Sequence, residues 1–151
     1  MAAAARPVVL VLEDDISVQA ALCATLTRAG FHPIRTQNIE EALTVLGTMS
    51  VDALLLDVRV PDPKGLNRSG FSLLAYVRTI TDYRHLPITL FTGVPLSDEE
   101  RALVRRHRAR LFLKPEPYST LVKHLNRCLL LDETSGVDVD REETAALTPV
   151  I

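Results

Sequence analysis

The sequence predicts an α/β fold: five parallel strands in one doubly wound sheet, built as (βα)5 with helices on both faces. Two observations carry this. Five short apolar runs recur along the chain, at Val8–Leu12, Phe31–Thr36, Ala53–Leu56, Ile88–Phe91 and Leu111–Leu113. Longer stretches of helical period separate them, and strict alternation of this kind demands crossover connections between parallel strands. The first, third and fourth runs are almost unbroken apolar text, as strands buried on both faces are. Right-handed crossovers then give a flavodoxin-like order.

Each helical stretch has its own signals. Val18, Ala21, Leu22 and Leu26 repeat on one face, and Gly30 follows as a stop. Asn38 with Glu41 reads as a capping box that opens a helix through Ala42, Leu43 and Leu46. Phe71, Leu74, Tyr76 and Val77 belong to a third helix. Ser97 with Glu100 is a second capping box, ahead of Leu103 and Val104. Leu121, Val122, Leu125, Leu129 and Leu130 form the fifth, after Pro115 and Pro117.

Composition bounds the function. A chain of 151 residues suits one domain, and a 47% hydrophobic content can fill a core that must be aliphatic, since aromatics are 5% and Trp is absent. The net charge of -2 argues against wholesale binding of nucleic acid or membranes. That charge is split. From Asp132 onward six acids face Arg141 alone, a net of -5 that leaves about +3 for the rest. The expected organisation is a folded unit over 7–131 and an acidic flexible tail over 132–151. Cys23 and Cys128 sit far apart in apolar helical patterns, with no metal spacing, so both read as core thiols in a reducing cytoplasm. No secretory signal or membrane span is visible.

In a doubly wound sheet, chemistry gathers beyond the carboxyl ends of the strands. Those ends carry Glu13, Asp14 and Asp15, then Asp57, Thr92 and Lys114. Carboxylates crowded there repel, and a hard divalent cation such as Mg²⁺ relieves them. A lysine adds a compact charge and a threonine a hydroxyl donor. The set suits transfer of a phosphoryl group to an aspartate. Asp15 serves equally well as a helix cap.

The chain resembles the receiver domain of two-component response regulators. The resemblance lies in Val9-Leu-Val-Leu-Glu-Asp-Asp15, Leu54-Leu-Leu-Asp57-Val-Arg-Val-Pro61, Leu86-Pro-Ile-Thr-Leu-Phe-Thr92-Gly93 and Leu113-Lys114-Pro115. It implies Asp57 as the phosphoacceptor. It implies Glu13, Asp14, Asp57 and the main-chain carbonyl of Arg59 as the Mg²⁺ set. Thr92 becomes the switch hydroxyl and Lys114 the phosphoryl contact. Gly93 becomes the small residue beside the phosphoryl group, and Pro115 the proline that is often cis. The implied partners are a sensor histidine kinase or a histidine phosphotransfer protein. A downstream protein would meet the face of the fourth helix, fifth strand and fifth helix.

Two departures stand out. The stretch Asp62–Ser69 is about five residues longer than the usual loop, which is either a neutral insertion or an element of partner discrimination. Leu111 stands where the switch aromatic is usual, and Phe112 should point to the opposite face. On the fourth helix, Arg101, Arg105, Arg106, Arg108 and Arg110 form either a solvated basic face or a dock for an acidic partner, the acidic tail included. Too little chain follows Leu131 for a DNA-binding helix-turn-helix. The rival readings are a phosphorylation-independent pseudo-receiver and a Mg²⁺-dependent aspartate-nucleophile phosphohydrolase. The second is disfavoured because Arg59 holds the place of its acid/base carboxylate.

Overall fold

A computed structural model of the chain describes residues 5–60, 69–114 and 116–130. The segments 61–68 and 131–151 and Pro115 therefore lie outside the described residues, and with them the longer loop up to Ser69, the acidic tail and the proline after Lys114.

The apolar runs become β1 (Val8–Leu12), β2 (His32–Thr36), β3 (Ala53–Asp57), β4 (Ile88–Thr92) and β5 (Arg110–Leu113). They form one parallel sheet in the order β2-β1-β3-β4-β5. The five helices are α1 (Ile16–Arg28), α2 (Ile39–Thr48), α3 (Gly70–Val77), α4 (Asp98–Arg106) and α5 (Tyr118–Leu125). The doubly wound (βα)5 fold is thus present.

Alternation along each strand decides which helix covers which face. Leu10, Leu12, Leu54, Leu56, Ile88 and Leu90 share one apolar cluster with Ala42, Leu74 and Val104, from α2, α3 and α4. Val9, Val11, Ala53, Leu55, Phe91 and Phe112 share the other with Leu22, Leu26, Leu121 and Leu125, from α1 and α5. Leu54, Leu55 and Leu56 are each fully buried, so truncating any one to Ala costs about 2–5 kcal/mol. Leu111 packs toward the α4 side and Phe112 toward α5, as the period of two requires. β2 tolerates Pro33 because it is an edge strand.

Several local expectations need correction. Ala21 is exposed, and the buried face of α1 is Gln19, Leu22, Cys23 and Leu26. Asn38 caps α2 by accepting from the Glu41 amide, but the Glu41 carboxylate reaches back to the amide of Gln37, one residue beyond a closed box. The fifth helix keeps α geometry only to Leu125 and continues as a π turn over Asn126–Leu130. Of the five arginines, only Arg101, Arg105 and Arg106 lie on α4. Arg108 takes a left-handed φ of 56° in the following turn and Arg110 belongs to β5.

Arg78, at the end of α3, carried no signal in the sequence. Its guanidinium donates to the carbonyls of His107, Tyr83 and Leu86 at 2.7, 2.9 and 2.8 Å. One side chain thereby closes the carboxyl end of α3 against the turns that precede β4 and β5. Replacing it by Met leaves those partly buried acceptors without their donor. Arg78→Met should destabilise the fold by about 2 kcal/mol, read as a lower midpoint in urea unfolding with an unchanged slope.

Candidate functional site

Asp57 closes β3, in register with Phe91 of β4, and is 3% exposed. A carboxylate so buried needs partners. Its Oδ1 accepts from the backbone amide of Arg59 at 3.0 Å, and its Oδ2 from Lys114 Nζ at 3.0 Å. Lys114 follows β5 and also stands 3.2 Å from Glu13 Oε1, with its ammonium 5.5 Å from the Phe91 ring centre. Burial disfavours the charged ammonium. The hydrogen bond it donates to Asp57 and the negative charges of Asp57 and Glu13 outweigh that and hold its pKa above the usual lysine value.

Glu13 follows β1 and is fully buried. Its Oε2 accepts from the Asp15 amide at 3.0 Å, while its buried Oε1 accepts no hydrogen bond. Burial raises its pKa to about 7, the Asp15 amide pulls down, and the neighbouring Asp57 charge adds to the rise. Asp14 is exposed at the mouth of the site. Asp15 is the cap of α1: its Oδ1 accepts from the amides of Ser17 and Val18 at 3.0 and 3.1 Å. The sequence overlooked Gln19, whose buried amide donates to the carbonyls of Glu13 and Thr36 and ties together the ends of β1 and β2. A polar residue on the buried side of α1 was the available signal.

Thr92 ends β4 and is buried, but its hydroxyl is turned to the next loop. It donates to the Val94 carbonyl at 3.0 Å and accepts from the Val94 amide at 3.2 Å. A Cβ at Gly93 would meet only the Lys114 stem at 3.7 Å, an ordinary contact. The demanding glycine is Gly70, which opens α3. A Cβ there would stand 2.5 Å from the Asp57 carbonyl oxygen and 3.0 Å from the Val58 Cα. The Gly70 amide donates to the Val58 carbonyl at 3.1 Å, so α3 starts against the backbone of Asp57 and Val58. The Arg59 side chain leaves the cleft and pairs with Glu100 of α4 at 3.1 Å.

The structure thus brings Glu13, Asp14, Asp57 and Lys114 together, with Thr92 on the adjacent strand end. Ligand oxygens of Glu13, Asp14 and Asp57 lie within 4.8 Å of one another. Three carboxylates, one of them with a buried oxygen that accepts no hydrogen bond, form a hard oxygen donor set of the kind Mg²⁺ takes. The residues fit the ion.

The model of the response regulator receiver domain matches residues 9–126. The chain belongs to this family. It is 32% identical over 107 residues to the response regulator protein FleR of Pseudomonas aeruginosa, across 71% of this chain and 21% of FleR. It is 27% identical over 94 residues to the polar-differentiation response regulator DivK of Brucella anthropi, across 62% of this chain and 72% of DivK. The chain therefore spans about a fifth of FleR. The chemotaxis protein CheY4 of Vibrio cholerae superposes with a TM-score of 0.72 at 28% identity, over 83% of this chain and 100% of that one. The receiver is a signalling domain of two-component systems. No helix among the described residues is long and apolar enough to cross a membrane.

Two outcomes follow from this geometry. Gly70→Ala forces the α3 backbone off Asp57 and should cost about 1–3 kcal/mol, whereas Gly93→Ala should stay within about 0.5 kcal/mol of the parent; urea midpoints of the two variants check the contrast. The second concerns pH. A free glutamate titrates near 4.5 and folded Glu13 near 7, so between those values the folded chain holds a proton that the unfolded chain has lost. Without metal, Glu13 should therefore make stability fall as pH rises through that window. Thermal melts in chelator at pH 5 and pH 8 should show the drop, and Glu13→Gln should flatten it.

Proposed function

We propose that the receiver accepts one phosphoryl group on Asp57, with Mg²⁺ held by Glu13, Asp14, Asp57 and the Arg59 carbonyl, over a unit of residues 7–131. The observation that carries this reading is the pairing of buried Asp57 with Lys114 beside the Glu13–Asp14 carboxylates. An Asp57 carboxylate oxygen attacks the phosphorus of the donor. The new O–P bond forms as the bond from phosphorus to the donor breaks, and the donor keeps that electron pair. Mg²⁺, when bound, supplies positive charge to the phosphoryl oxygens. Lys114 already neutralises Asp57 and stands ready to follow the negative charge outward. The implied donor is a sensor histidine kinase or a histidine phosphotransfer protein.

Readout starts at Thr92. Its hydroxyl donates to Val94 in the resting state. A phosphoryl oxygen is the stronger acceptor, so the hydroxyl turns to it and frees the Val94 loop, which leads into α4. A protein partner then meets the face of α4, β5 and α5. Arg59 has no carboxylate to offer as acid or base, which leaves phosphate turnover slow.

Intact mass after incubation with Mg²⁺ and acetyl phosphate tests the proposal. The expected gain is one phosphoryl group, absent in Asp57→Asn and absent when chelator replaces Mg²⁺. A chain that gains no mass and binds no Mg²⁺ is a pseudo-receiver instead.

A further inference from the structure

Arg59 is engaged at both ends. Its backbone amide donates to Asp57 Oδ1 at 3.0 Å. Its guanidinium donates from two nitrogens to the Glu100 carboxylate, at 3.1 and 3.4 Å. Glu100 is also the closing member of the α4 capping box: its Oε1 accepts from the Ser97 amide at 2.9 Å, and its own amide donates to Ser97 Oγ at 3.1 Å. Two residues thus join the phosphoacceptor to the first turn of a helix 41 positions away in sequence. The Glu100 carboxyl is held below the usual glutamate pKa by the Ser97 amide and then by Arg59, so the link is charged at neutral pH.

We propose that the Arg59–Glu100 pair is a positioning element that couples occupancy of Asp57 to the amino-terminal turn of α4, in parallel with Thr92. The inference rests on the phosphoacceptor reading above. Two physical changes would act on it. Ligation through the Arg59 carbonyl fixes the main chain of the residue whose side chain holds Glu100. A phosphoryl group turns the single negative charge of Asp57 into nearly two, carried on oxygens further out beside a loop that bears the Arg59 guanidinium, and these compete with Glu100 for that cation. Once Arg59 lets go, Glu100 keeps its cap but loses the anchor that fixes α4 against the β3–α3 loop.

The link spans about the worth of one partly exposed ion pair, so the effect to read is a change of about two- to five-fold in local opening. Hydrogen exchange of the amides of α4 provides it. The full chain is measured before and after modification by acetyl phosphate with Mg²⁺, with intact mass recorded on the same samples. Modification should speed exchange in the first turns of α4 in the parent. Glu100→Gln retains the carbonyl oxygen that caps Ser97 but lacks the charge that holds Arg59. In it, α4 should exchange faster from the start and respond little to modification. Arg59→Met should behave alike, and Arg59→Lys should recover part of the response. Mass gain in both variants with the parent's full exchange response in α4 would overturn the coupling and leave the phosphoacceptor reading intact. No mass gain in the parent would overturn both.

Discussion

Two carboxylates, Asp57 and Glu13, are buried at the end of an otherwise apolar sheet, and one ammonium holds them there. Lys114 lies 3.0 Å from Asp57 and 3.2 Å from Glu13. Removing such a cation from two buried anions costs several kcal/mol, because the charges left behind cannot regain water. Yet among the described residues the neutralisation is incomplete: two buried carboxylates share one ammonium, and Glu13 Oε1 still accepts no hydrogen bond. Protonation of Glu13 near pH 7 is one way to close that deficit, and a divalent cation is the other.

The rest of the architecture serves to place that imbalance at the surface. The core clusters on both faces of the sheet fix β1, β3 and β4 in register. Gly70 then lets α3 start in direct contact with the Asp57 carbonyl, so the loop after β3 cannot shift without moving the helix. Arg59 reaches from this loop to Glu100. Thr92 reaches from β4 into the loop before α4 through Val94. Both routes converge on α4, which packs on the sheet with a single fully buried side chain, Val104. A helix held by few apolar contacts is one that small polar changes can move.

What the sequence disclosed follows from period and position. Unbroken apolar runs placed the strands, since a buried parallel sheet admits little else, and residues at strand ends placed the acidic cluster by topology alone. What it hid depended on side chains that span elements. Arg78 reads as one more surface arginine until its four-way closure of carbonyls is seen. Gln19 interrupts an apolar face and serves backbone acceptors instead. Gly70 stood unremarked before the third helical stretch, because its requirement comes from a backbone that approaches from β3. The basic stripe was overextended because helical period was projected past Arg106, where Arg108 turns left-handed and the chain enters β5.

The absence of the usual aromatic bears on how the state of Asp57 is read. Leu111 is half-buried and packs with the α4 side of the core, while Phe112 is committed to the opposite face among Leu121 and Leu125. Neither can follow the Thr92 hydroxyl as a large ring would. An aliphatic side chain at this place has no polar handle and gains little by changing rotamer. In the proposed switch, the polar routes through Val94 and through Arg59 then carry a larger share of the coupling between Asp57 and α4. A charged pair is well suited to that share, because the signal itself is a change of charge, and an ion pair senses it without needing a cavity to open or close.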